Sequence, residues 1–512
     1  VQIESTSPGT GQSIGCVEST SPSRISRIVE DARQIQKEWM QLPHGRRVQI
    51  IREFGRIFFT RKREIADLIS RENGKPVVEA YASEIIPTLD MINYYSKKSR
   101  RILRHRNVKI TLPLLRTKKA WVAKEPYGVV GIISPWNYPV LLPLGQIVPA
   151  LLAGNTVVFK PSEFTPIVGE RISELLQEAG VPENVFNIIQ GGSEVGSSLV
   201  SSGVDKLFFT GSTPTGRRVS ELAARDLTPV SLELGGKDAM IVLDDAHIES
   251  AASGAIWGAF MNAGQTCVSI ERCFVHEKIY DQFVELTRQK TKELRLGSGI
   301  ETDLGAMIHR AQFDVVKRHV EDAVQRGARI VAGGIFSDNP AHFIQPTILT
   351  DVPVNSTIMN EETFGPVLPI LKFGSDEEAV SLANGSRFGL SVSVWTGSRK
   401  RGLAIAKKLH AGAAIVNDAI SYYGMSDGIV GGVKQSGNGR VHGREGLLEM
   451  VYTKYYEIER APRLKKLWWY SYSTDMSSFF ESATDFLFAA NFLYKMNALL
   501  KLLPKYLRIK KI

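Results

Sequence analysis

The chain has 512 residues, 43% hydrophobic and 23% charged, a length that calls for two or three domains around separate cores. Its net charge is +10, but residues 461–512 hold nine Lys/Arg against three Asp/Glu, so most of the excess sits in the C-terminal tail. That location, with no zinc finger, recognition helix or aromatic RNA-binding signature, argues against nucleic acid as a partner.

Residues 1–23 are rich in Ser, Gly, Thr and Pro and read as an irregular, solvated lead-in. The opening Val1-Gln2-Ile3-Glu4 has neither a basic nor an apolar signal-peptide region. Ser23 resembles an N-cap, and helical apolar spacing then runs over 24–40, 46–60, 62–72 and 77–101, broken by Pro43, Gly45 and Asn73-Gly74-Lys75-Pro76. Between 108 and 125 two extended segments are expected (Val108, Ile110, Leu112; then Ala120, Val122, Ala123), a pair able to leave the domain as an arm and join another subunit. From Gly128 the apolar runs 129–133, 156–160, 185–189 and 206–210 read as buried strands, separated by helices over 168–179 and 194–202. A second series follows at 239–243, 272–275, 328–332, 367–373 and 392–396, with a long helix over 280–294. Strands alternating with helices imply an α/β chain with doubly wound parallel sheets. Residues 431–439 are glycine-rich, and 451–458 is a last strand.

Two motifs carry chemistry. Leu232-Glu233-Leu234-Gly235-Gly236-Lys237 sets a carboxylate beside glycines, and Asn262-Ala263-Gly264-Gln265-Thr266-Cys267 sets a thiol in a turn of small residues. Thiolate is a strong nucleophile, and a carboxylate can activate the thiol or the water that releases an acyl-enzyme. Taken alone, Cys267 fits a buried small hydrophobe, Glu233 a solvated strand-end carboxylate and Asn137 a turn residue. Cys16, Cys267 and Cys273 form no disulfide or metal pattern, no metal site is expected, and Cys273 reads as structural.

Further motifs follow one order: Ser134-Pro135-Trp136-Asn137-Tyr138-Pro139, Phe159-Lys160-Pro161-Ser162-Glu163, Phe209-Thr210-Gly211-Ser212, the Glu233 and Cys267 segments, and Glu362-Thr363-Phe364-Gly365-Pro366. From about residue 3 to 460 the chain resembles the aldehyde dehydrogenase superfamily. The resemblance implies oxidation of an aldehyde to its acid through a thiohemiacetal and thioester on Cys267. Asn137 would stabilise the oxyanion, and Glu233 would activate the hydrolytic water. It implies NAD, with NADP as the alternative, held by Trp136, Lys160, Glu163, Gly211, Ser212, Gly216, Glu362 and Phe364. The 211–216 loop would bind pyrophosphate at a helix N-terminus, and the Glu163 carboxylate would repel a 2′-phosphate. The implied parts are a cofactor domain (1–107 and 126–234), a catalytic domain (235–430) and an oligomerisation arm (108–125 and 431–460) of a homodimer or dimer of dimers.

Two departures stand out. Gly428-Ile429-Val430-Gly431-Gly432 replaces the family's usual Pro-Phe-Gly-Gly, so Val430 is expected to widen the tunnel mouth. Val441 replaces a usual Glu, which removes a local ion pair. Tyr138, Leu141, Leu142, Gly145, Thr266 and Val268 are the other tunnel candidates. None is charged, and Gly145 leaves room, so a medium- or long-chain apolar aldehyde is expected in preference to succinic semialdehyde, which would want an Arg. A CoA-acylating enzyme and a non-catalytic NAD-binding relative are the alternatives, but Glu233 argues against the first and Cys267 against the second. The tail 461–512 interleaves Trp, Tyr, Phe and Leu with Lys, Asn and Asp; it suits an amphipathic interfacial helix of a cytoplasmic enzyme, or a cap on the tunnel, better than a membrane span.

Overall fold

The computed structural model describes residues 2–299, 301–337 and 341–509. These fall into two compact units, residues 1–104 with 124–453 and residues 105–123 with 454–512.

The larger unit holds two large sheets. In the first, all-parallel sheet the strand order is Phe186–Ile188, Thr156–Lys160, Val129–Ile133, Lys206–Thr210, Val230–Glu233. Its three central strands are buried at every residue, which is why they read as unbroken apolar runs. In the second the order is Arg329–Ala332, Thr347–Thr350, Val367–Phe373, Ile270–His276, Asp238–Val242, Ser391–Trp395, Ala413–Val416. Only the first pair is antiparallel. The α/β expectation therefore stands. Sequence periodicity missed the short strands Val230–Glu233, Thr347–Thr350 and Ala413–Val416, whose four residues are too few to establish a pattern.

Three helical features differ from expectation. The first helix starts at Pro22 behind Ser21, because proline suits a helix's first position. The expected 77–101 helix contains a widened turn, Tyr81–Ile85, between Val77–Ala80 and Ile86–Ile102. Pro87 has no N–H to donate back to Ser83, and the wider turn accommodates that missing bond. Leu141–Ala153 is a helix buried at all thirteen positions. Its two prolines and lack of a polar face hid it from the periodicity argument.

The lead-in is not irregular. Gln2–Thr6 and Ser13–Glu18 pair antiparallel, and Ser5 Oγ donates to Glu72 Oε1 at 2.6 Å. Tertiary contacts order a segment whose polar composition suggested solvation.

The smaller unit carries most of a third sheet, whose strands run in the order Val451–Glu459, Lys118–Pro126, Arg106–Asn107, and Trp121 stacks on Tyr456 at 5.3 Å. The first extended segment expected near Val108–Leu112 is thus only a two-residue strand just before it. The tail forms two helices, Thr474–Phe488 and Phe492–Ile509, joined by Asn491, whose Oδ1 accepts from Leu493 N and Tyr494 N. Lys505 Nζ donates to Ser482 Oγ (2.8 Å), and Phe479 meets Tyr506. Phe492, Leu493, Met496, Leu499 and Leu500 form an exposed apolar stripe on the second helix. No described helix is long and apolar enough to cross a membrane.

Candidate active site

In the first sheet Val129–Ile133 and Lys206–Thr210 are neighbours, although the chain between them has gone out to one edge and returned. At such a switch point the loops at the carboxyl ends of the strands open a crevice. The loops here carry Ser134-Pro135-Trp136-Asn137 and Gly211-Ser212. They border a cavity of about 570 Å³ that is also lined by Glu233, Cys267, Glu362 and Phe364.

The structure thus gathers Trp136, Gly211, Ser212, Glu362 and Phe364 at one cleft. Ser212 caps the helix Thr213–Ala224, and Trp136 meets Phe364 edge-on at 5.5 Å. Glu362 rests on the glycine pair that follows Glu233: its Oε1 accepts from Gly236 N (3.0 Å). A Cβ on Gly235 would lie 2.1 Å from Glu362 Oε2, and one on Gly236 2.5 Å from the Cys267 carbonyl, so both positions require glycine for close approach. The turns of Cys267 and Glu362 also pack back to back, with a Cβ on Gly264 falling 2.2 Å from Gly365.

Three expected cofactor residues lie outside this lining. Lys160 Nζ sits 3.5 Å from Glu163, and neither borders the cavity. Arg217, which composition could not single out, does line the cleft. Gly216 instead lets its helix approach Leu234. His309, which stacks on Phe164 and meets Trp136 edge-on, is a further wall that no sequence motif marked.

A second cavity, of about 240 Å³, is lined by Tyr138, Leu141, Thr266, Val268, Met261 and Trp257 among others. Among the described residues Cys267 alone borders both cavities. Leu142 borders the larger one. Gly145 and Val430 border neither, correcting the expectation of a wider tunnel. The space beside Gly145 is filled by His442, whose Nε2 would be 3.3 Å from an added Cβ. Val430 is buried, and it exchanges both backbone hydrogen bonds with Val441 (3.0 and 2.9 Å), so the two departures face each other across one bridge. The second cavity has one charged wall residue, Glu79, and no cation.

Electrostatics set the resting state. Burial, reinforced by the carboxylates of Glu362, Asp238 and Glu233, pushes the Cys267 thiol well above its ordinary value. The cysteine touches both cavities and is half-buried. Burial likewise lifts Glu233 well above the usual carboxylate range, against the pull of Arg440, and its Oε1 has no hydrogen-bond partner. Burial raises Glu362 to about 8.

Asn137 is held from behind. Its carbonyl accepts from Lys75 Nζ (2.8 Å) and Asn262 Nδ2 (3.0 Å), and its side-chain Nδ2 donates to Gln265 O (3.1 Å). Lys75 is fully buried 2.8 Å from Glu84, whose other oxygen accepts from Val140 N and Leu141 N. Tyr138 shares a 2.7 Å hydrogen bond with Thr266.

The cleft fits an extended dinucleotide. It offers the N–H groups of a helix N-terminus at Ser212–Thr213, aromatic walls, and at Glu362 a half-buried carboxylate with no ion-pair partner of its own among the described contacts.

Comparison with known proteins agrees with this architecture. Residues 1–456 match the model of the aldehyde dehydrogenase family. A 4,4'-diapolycopene aldehyde oxidase of Methylomonas sp. is 37% identical over 486 residues, 95% of this chain and 91% of that protein. A putative succinate-semialdehyde dehydrogenase [NADP(+)] of Mycolicibacterium smegmatis is 38% identical over 460 residues, 89% of this chain and 88% of that one. The crystal structure of an NAD-dependent aldehyde dehydrogenase from Sinorhizobium meliloti superposes with a TM-score of 0.88 at 34% identity, covering 92% of this chain and 93% of its own.

Proposed function

The chain belongs to the aldehyde dehydrogenase family, enzymes that oxidise aldehydes with NAD(P), and from that premise we propose that it converts an apolar, medium- or long-chain aldehyde to the carboxylic acid. One observation carries the reading: Cys267 borders both a cleft of mixed charged, polar and aromatic lining, suited to a dinucleotide, and a separate, largely apolar cavity without a cation.

The aldehyde enters beside Trp257 and Val78, which are 47% and 72% exposed and give the mouth an apolar rim. Its carbonyl carbon is attacked by the Cys267 sulfur. The S–H bond breaks as the C–S bond forms, and the thiol proton passes to solvent water in the cleft. The new oxyanion is met by the Asn137 side-chain amide and the Cys267 N–H. Trp136, Gly211, Ser212, Glu362 and Phe364 would hold a nicotinamide cofactor in the cleft, which would supply the hydride acceptor for this oxidation. Glu233, buried with an unpartnered oxygen, takes a proton from the water that hydrolyses the thioester and so frees the acid and the thiol.

The names of relatives divide between a large apolar aldehyde and succinic semialdehyde. The lining of the second cavity favours the former, since no Arg or Lys there grips a second carboxylate and Glu79 repels one. NADH or NADPH release should be measured across aliphatic aldehydes and succinic semialdehyde, with and without CoA. Preference for decanal is expected. Preference for the semialdehyde would overturn the substrate reading, and no product from any aldehyde would overturn the mechanism.

We further read 1–107 with 126–234 as the cofactor domain, 235–430 as the catalytic domain, and 108–125 with 431–460 as the arm of a homo-oligomer. The exposed apolar stripe of Phe492–Ile509, with Lys501 beside it, supports contact of the tail with an anionic membrane surface of the cytoplasmic enzyme. Deleting residues 463–512 is expected to abolish binding to anionic vesicles; unchanged binding would refute the contact.

A further inference from the structure

The second cavity contains one carboxylate on its wall, Glu79, that no step of the mechanism above uses. Glu79 is the third residue of the short helix Val77–Ala80, just before the widened turn. Both its oxygens accept the backbone N–H of Asn262, at 3.1 and 3.0 Å.

Asn262 is an unusual place to anchor. It and Ala263 both have left-handed backbone (φ 55° and 54°), a conformation that costs a residue with a side chain and persists only where its surroundings enforce it. The same Asn262 sends its Nδ2 to Asn137 O (3.0 Å) and Gln265 O (3.2 Å), while Gln265 N returns to Asn262 O (3.0 Å). Asn262 therefore ties together the segment bearing the oxyanion amide and the turn that ends in Cys267. Glu79 is its hydrogen-bond partner on the cavity side.

We propose that Glu79 is a positioning residue, whose carboxylate clamps the left-handed Asn262–Ala263 turn and thereby fixes the Cys267 sulfur relative to the Asn137 amide. The clamp acts through reach and acceptor geometry. Substrate binding in an otherwise uncharged cavity does not depend on it. Burial lifts Glu79 to about 7, with the Asn262 N–H and Lys75 pulling down and Asp303 pushing up. A buried acid that sits between its two protonation states near neutrality fits a role that needs an acceptor rather than a fixed charge.

The inference rests on Cys267 being the nucleophile, and the test separates the two. In a Cys16→Ser background, which removes the exposed thiol, three variants are compared: Glu79→Gln (reach kept, charge lost), Glu79→Asp (charge kept, one methylene shorter) and Glu79→Ala. The readouts are kcat and KM with decanal, and the rate at which iodoacetamide alkylates Cys267 in the substrate-free protein. Glu79→Gln should stay within about threefold of the parent in kcat and alkylation. Glu79→Asp and Glu79→Ala should lose about tenfold or more in kcat, with KM within about twofold and an alkylation rate changed to match; a loss of this size is that of a displaced reacting group. If Glu79→Ala does not fold, the Gln and Asp pair decides. An Asp variant equal to the parent, a Gln variant as impaired as Asp, or a change confined to KM would overturn the positioning role. Retained activity in Cys267→Ala would overturn the underlying mechanism instead.

Discussion

Replacing Lys75 by Met tests the scaffold behind Asn137. Lys75 and Glu84 are both fully buried and 2.8 Å apart. Lys75 also donates to Asn137 O and lies 4.0 Å over the Tyr138 ring. Methionine keeps most of the volume and removes the charge, which strands a buried carboxylate. Breaking such a pair from one side costs about 3–5 kcal/mol. Glu84 keeps its bonds from Val140 N and Leu141 N, so the lower end, about 3 kcal/mol, is expected. The double variant Lys75→Met/Glu84→Gln removes both charges and should recover much of that loss, a coupling of about 1–3 kcal/mol. Urea unfolding followed by tryptophan fluorescence measures the stability change. In parallel, kcat with decanal should fall by about a hundredfold in the single variant, because the Asn137 carbonyl loses one anchor and a small displacement of the oxyanion donor is amplified in rate. A loss below about 1 kcal/mol with unchanged kcat would refute the argument.

The remaining predictions concern charge and space in the site. Glu233→Gln should retain a pre-steady-state burst of reduced cofactor while steady-state turnover drops by about 10²–10⁴, read by stopped-flow absorbance; equal loss of both phases would assign Glu233 elsewhere. Burial raises Glu233 and its base form is the deprotonated one, so the parent's kcat should climb with pH through a value above the ordinary carboxylate range, a limb that Glu233→Gln lacks. Asp238, buried and hydrogen-bonded by Ser391 Oγ, is raised to about 7. Its neutral form is favoured in the fold, so the stability it contributes is present below its unfolded value and lost as pH rises through about 7. Asp238→Asn should therefore gain in melting temperature over the parent between pH 5 and pH 8, and a constant difference across that range would contradict the assignment. Gly235→Ala places a methyl against the Glu362 carboxylate and should raise KM for the cofactor by about tenfold, from overpacking of about 1–3 kcal/mol, with little effect on Cys267 alkylation.

The amino-acid sequence by itself determined the strand-and-helix alternation, because buried parallel strands need continuous apolar runs and the helices between them need one apolar face. It also marked Cys267, Glu233 and Asn137 as candidates, since a thiol, a carboxylate and an amide donor in those motifs make a chemical set, and the structure places all three on one cavity. Local order was less legible where pairing or burial supplies it. Gln2–Thr6 is a strand through its partner and through Ser5–Glu72. Leu141–Ala153 is a helix inside a core that tolerates its prolines. Only the tertiary structure decided which residues share a wall. Space at Gly145 depends on His442, nearly 300 positions away along the chain, so composition at 145 could not give the cavity's width. Val430 and Val441 look like two separate departures until the bridge sets them opposite each other. Lys160 and Glu163 pair with each other outside the cleft. Glu79, three residues past a proline and unmarked by any motif, meets the nucleophile's turn across more than 180 residues of sequence. Spacing along the chain encodes periodicity and local turns, whereas contact between distant segments is fixed only when their cores pack.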